Sequence, residues 1–93
     1  MPKYAAKVDT NQAEIVEALR NLGCTVEPLH SVGRGVPDLL VGRSMRNFLF
    51  EIKGPKGVLT PPQTEWHDAW RGQVCTIRSW QEAAQHIGIE VTE

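Results

Sequence analysis

Cysteine is scarce in this chain, with two thiols, Cys24 and Cys75, in 93 residues and no C-x-x-C pair. That excludes a disulfide-stapled scaffold and the paired-thiol spacing of a structural zinc site. Each cysteine sits in a β-type run, CTVEPL or VCTIRS, and reads as a small buried hydrophobe. Apolar runs are also short. None reaches the length needed to cross a bilayer, and the start lacks the charged-then-apolar order of a signal peptide, so the expectation is a cytoplasmic protein without a membrane partner. An excess of one charge sign is missing too: 10 Lys and Arg against 11 Asp and Glu leave a formal charge of −1. A nucleic-acid partner cannot be read from that total and needs a local basic patch. Internal repeats and low-complexity tracts are absent, and the length is that of one domain, residues 1–93, with 1–9 expected to be a loose arm.

What remains is a regular alternation of elements. Ile15, Val16, Leu19 and Leu22 form a helical stripe over residues 11–22, with Thr10 or Asn11 as cap and Gly23 as stop. Asn11 and Glu14 have capping-box spacing. CTVEPLH reads as a first strand, DLLVGR as a second and RNFLFEIK as a third, with Ser44–Met45 as the hairpin turn. Thr60 is the expected cap of a helix opening at Pro61 or Pro62 and running to Arg71. VCTIRS is a fourth strand, and Ser79 caps a last helix. The order α-β-β-β-α-β-α predicts an α/β fold, a central mixed sheet with helices on both sides.

Within that frame three charges stand out. Asp38 opens the second strand, and Glu51 and Lys53 leave the same face of the third. Counting outward from a Ser44–Met45 turn pairs Asp38 with Glu51, which sets the two carboxylates about 5 Å apart on neighbouring strands. Like charges that close repel and need a compensating cation. A hard divalent ion such as Mg²⁺ or Mn²⁺ takes oxygen ligands of this kind, and Lys53 adds a cation able to orient a water. The set suits phosphodiester cleavage. Spacing alone also fits a surface ion cluster in which Lys53 bridges the two acids.

Pro37-Asp38 followed by Glu51-Ile52-Lys53 resembles the PD-(D/E)XK signature. GVPDLLV, FEIKGPKGVLTPPQTEWH and VCTIRSWQEAAQHI resemble more narrowly the VRR-NUC branch of that nuclease superfamily. The resemblance implies a restriction-endonuclease-like core and a metal-dependent DNA endonuclease using Mg²⁺ or Mn²⁺. It implies Asp38, Glu51 and the Ile52 carbonyl as metal ligands, Lys53 as the catalytic lysine, and Glu14 and Gln63 as further site residues. The small stand-alone type, viral or bacterial, further implies a homodimer acting on branched DNA, a Holliday-junction resolvase among the options, in a bacterial cell or a phage-infected host. The rival is a non-catalytic nucleic-acid-binding or assembly module that keeps the fold.

Other residues are read more simply. Glu14 has the capping-box alternative, and Gln63 that of a solvent-facing first-turn residue. Arg34 and Lys56, each flanked by glycines in loops beside the site, are candidate DNA contacts, and Lys3, Lys7, Arg43 and Arg46 could extend a basic rim. His67 and His86 read as solvent or packing residues, and no histidine is assigned as a ligand because an oxygen-rich set favours Mg²⁺ or Mn²⁺. Trp66 and Trp70, one turn apart, are expected to pack in the core, or to form a dimer seam.

Overall fold

The computed structural model describes residues 10–91; the arm expected over 1–9, with Lys3 and Lys7, lies outside the described residues. The elements are α1 (Thr10–Asn21), β1 (Thr25–Pro28), β2 (Leu39–Arg43), β3 (Arg46–Ile52), α2 (Pro61–Ala69), β4 (Cys75–Ile77) and α3 (Trp80–Ile87). This is the order expected from the sequence.

The sheet order is β1-β2-β3-β4. The first three strands meander antiparallel, and β4 returns through α2 to run parallel to β3. The hairpin register is Leu39 with Phe50, Val41 with Phe48 and Arg43 with Arg46, which is the pairing a Ser44–Met45 turn dictates. Both turn residues adopt positive φ, 54° and 65°, as the twist of a two-residue hairpin loop requires.

Strand alternation sorts the two faces of the sheet. Val26, Leu39, Val41, Phe48, Phe50, Ile52 and Ile77 are buried on one face against Ile15, Val16 and Leu19 of α1 and Ala83 and Ile87 of α3. Cys24 is buried in this core and Cys75 packs at its margin; both are free thiols whose pKa is pushed up by burial. Helix α1 ends as Gly23 predicts. Gly23 turns at φ 96°, its N–H donates to the Arg20 carbonyl and the Cys24 N–H to that of Leu19, the double closure of a Schellman end. At the other end of α1 the expected capping box does not form, since Thr10 and Asn11 already lie inside the helix.

Helix α2 differs from the other two helices because it buries none of its residues. Trp66 and Trp70 stack on each other at 4.6 Å between ring centroids, Trp70 is exposed, and neither belongs to the core. The expectation of core packing is therefore corrected. With α1 and α3 already filling the apolar face, α2 meets the sheet's other face through polar side chains, described next.

Candidate active site

Asp38 and Glu51 meet where β2 begins and β3 ends. Asp38 directly precedes β2, and the Leu29 N–H donates to its carbonyl at 2.7 Å, which carries the strand pairing one step beyond Pro28. Its side chain is fixed from the opposite strand: the Ile52 N–H donates to Asp38 Oδ2 at 2.7 Å. Glu51 is nearly inaccessible, at 2 % exposure, on the face opposite Phe50 and Ile52. Its pKa is pushed up to about 8, first by burial and then by the neighbouring Asp38 carboxylate, with Lys53 opposing. Lys53 Nζ stands 3.9 Å from Glu51 Oε2. The surface ion cluster allowed by spacing alone does not describe this arrangement, because its central carboxylate is buried.

The other walls come from loops and from α2. Residues 54–57 form a turn closed by the Gly57 N–H on the Gly54 carbonyl at 3.1 Å, and Lys56 stands exposed at its tip. Arg78, beyond β4, donates to the Gly54 carbonyl and ties this turn to the sheet. Thr60 caps α2 in a full capping box with Gln63: the Thr60 hydroxyl accepts from the Gln63 N–H, and Gln63 Oε1 accepts from the Thr60 N–H. The amide end of Gln63 is thereby aimed back at the sheet, and its Nε2 donates to Glu51 Oε2 at 3.0 Å. One turn later His67 brings Nε2 to 4.0 Å from Glu51 Oε1. Glu51 Oε1 and His67 Nε2 are both buried without a hydrogen-bond partner. Burial is the first cause holding the His67 pKa below its ordinary 6.5, with Asp68 opposing and Lys53 adding to the shift.

The approach of α2 depends on Gly35, which turns at φ 83°. A Cβ there would strike the Pro62 carbonyl, so only glycine lets the loop before Asp38 pass under the start of α2. Arg34, beside it, is exposed and holds a positive φ of 58°.

The structure thus brings Asp38, Glu51, Ile52, Lys53 and Gln63 to one place. Arg34 and Lys56 lie on neighbouring loops and make no hydrogen bond or ion pair with Asp38 or Glu51. Glu14 is exposed on α1 and lines a separate cleft with Asn11, Arg78 and Trp80. Among the described residues no three His, Cys, Asp or Glu side chains come together as a metal-holding group. The residue that sequence reasoning missed is His67. The signal was present, since a helix that turns Gln63 toward the sheet turns the residue four positions on in the same direction.

A solved structure described as a VRR_NUC domain is similar to this chain, with a TM-score of 0.67 and 27% sequence identity over 84% of this chain and 90% of that one. No family model and no curated protein matches. Among the described residues no helix is long and apolar enough to cross a membrane.

Proposed function

We infer that this chain, which by fold and sequence belongs with the VRR-NUC nuclease domains, is a metal-dependent, structure-specific DNA endonuclease that works as a homodimer. The observation that carries the reading is the buried Glu51 carboxyl facing the half-buried Asp38, with Lys53 beside it. Two carboxyl groups at neighbouring strand ends, one with its pKa raised to about 8 despite Lys53 and with an unpartnered buried oxygen, leave room for a further positive charge.

A divalent cation fits that donor set, and Mg²⁺ or Mn²⁺ suits its oxygens. Asp38 and Glu51 would hold it together with the Ile52 carbonyl. An extended residue points its N–H and C=O the same way, and the Ile52 N–H already faces Asp38. Glu14, which the resemblance adds to the ligand set, lines its own cleft with Asn11, Arg78 and Trp80 and is left out of this set. When bound, the ion supplies Lewis-acid polarisation of a phosphate oxygen and a lower pKa for a bound water.

This chain's own residues do the remaining work. Gln63 fixes one oxygen of Glu51 through its amide, so the carboxylate presents a constant geometry. Lys53, its stem packed under Gly57, holds its ammonium beside Glu51 Oε2, where it orients the attacking water and offsets charge at the phosphorus. In-line attack leaves a 5′-phosphate and a 3′-hydroxyl. Arg34 and Lys56, exposed on two separate loops, are the proposed phosphate contacts.

Branched DNA is the proposed substrate class. One domain of this size engages one strand, so cutting both strands requires a two-fold pair of chains. The experiment compares cleavage of a four-way junction, a flap and the matching linear duplex in Mg²⁺ or Mn²⁺, with end-group analysis. Preferential, paired incisions near the branch with 5′-phosphate ends are expected. Equal cutting of linear duplex would refute the structure-specific reading.

A further inference from the structure

Helix α2 places a second side chain, His67, against Glu51, beyond the oxygen ligands and the lysine named above. Gln63 and His67 lie one turn apart on the same face of α2 and address the two oxygens of one buried carboxylate. Gln63 satisfies Oε2. Oε1 and the imidazole Nε2 confront each other, both buried and both without a hydrogen-bond partner.

Two polar atoms left facing each other in the interior are costly unless something joins them. Their separation of 4.0 Å is too long for a hydrogen bond. It is close to the sum of two metal–ligand bonds of roughly 2.0–2.2 Å each. The chemistry of the two atoms agrees, since a carboxylate oxygen and a neutral imidazole nitrogen are both cation donors.

We propose that His67 Nε2 is a nitrogen ligand to the divalent ion at Glu51, making this a mixed oxygen–nitrogen site that takes Mn²⁺ and Co²⁺ in preference to Mg²⁺. The assignment rests on the metal-dependent reading above and amends its all-oxygen ligand set. Magnesium gains little from an imidazole, whereas affinity for the transition ions rises along the series from Mn²⁺ to Co²⁺ when nitrogen replaces oxygen. The helix position explains how the ligand arises. The capping box that aims Gln63 also fixes the first turn of α2, and His67 follows at the next turn with little freedom to leave.

Calorimetric titration of Mg²⁺, Mn²⁺ and Co²⁺ into the intact chain tests this without reference to activity, with His67→Gln, His67→Ala and Asp38→Asn beside the wild type. Both His67 variants should lose Mn²⁺ and Co²⁺ affinity by about tenfold or more while Mg²⁺ binding stays within about threefold. Should either variant fail to fold, pulsed electron paramagnetic resonance of the wild type loaded with Mn²⁺ and labelled with ¹⁵N-histidine reads the ligand directly as a nitrogen coupling. An unchanged Mn²⁺-to-Mg²⁺ ratio in the folded variants, or no nitrogen coupling in the wild type, overturns the assignment. If Asp38→Asn abolishes binding while that ratio is unchanged, His67 alone is misassigned. If the wild type binds no divalent ion, the metal-dependent reading falls with it.

Discussion

Glu51 is a carboxyl group held away from water beside a second carboxylate, and this has a consequence for stability. In the folded chain its pKa is pushed up to about 8, against an ordinary 4.5. Between those values the folded state keeps a proton that the unfolded state has lost, so stability falls as pH rises and levels off above about 8. His67 acts with the opposite sign. Its pKa lies below the ordinary 6.5, so the unfolded chain binds more protons below that value and stability there rises with pH. From pH 6.5 to 8 Glu51 acts without that opposition. Thermal melts in chelator should therefore show the wild-type Tm declining over this interval and Glu51→Gln flattening the decline, with the variant gaining on the order of 2 kcal/mol relative to wild type between pH 5 and 8. A wild-type Tm that holds steady or climbs would contradict the burial account. Asp38, Glu51 and Lys53 were legible in the sequence because strand alternation and hairpin register are periodic. The burial of Glu51 was not, since it depends on how α2, the next element along the chain, folds back over the sheet's second face, which no local pattern encodes.

At the scale of elements, the hairpin turn sets the register on which the site depends. Ser44 and Met45 both hold positive φ, a conformation costing roughly 1 kcal/mol or more for residues with a Cβ. Replacing the pair by Asn-Gly should leave Leu39 opposite Phe50 and raise stability by about 1 kcal/mol, read from denaturant midpoints at constant m. A loss of stability would mean that the turn is not of the type the register demands. The hairpin was readable because its turn length and apolar alternation agree. Helix α2 was located correctly from Thr60 and the two prolines, but its packing was misjudged. Two tryptophans at helical spacing signal an apolar face, and periodicity does not say whether that face meets the core or only itself. Here Trp66 lies against Trp70, and the contacts of α2 with Glu51 are polar.

For the whole molecule, the proposed pairing of two chains is required if both strands are to be cut, and the exposed side of the sheet is the face proposed for it. Leu40 and Trp70 are exposed on the rim of a cavity of about 280 Å³ that they share with Phe48, Leu49 and Gln73. A charge introduced there should separate the chains: Trp70→Glu is expected to sediment as a monomer and to nick junctions without paired incision, while the wild type sediments as a dimer. A wild-type monomer that still makes paired cuts would remove the need for the dimer. The α-β-β-β-α-β-α order could be read from apolar periodicity, caps and turn residues, whereas the exposed apolar patch at Leu40 and Trp70 could not, because it depends on which apolar residues the core leaves out. The central claim, a metal-dependent site built on Asp38, Glu51 and Lys53, is tested most directly by DNA cleavage in Mg²⁺ or Mn²⁺ by the wild type, Asp38→Asn and Lys53→Ala at matched folded concentration. The account predicts cleavage that chelator abolishes and that each substitution reduces by about a hundredfold or more; cleavage that survives both substitutions would contradict it.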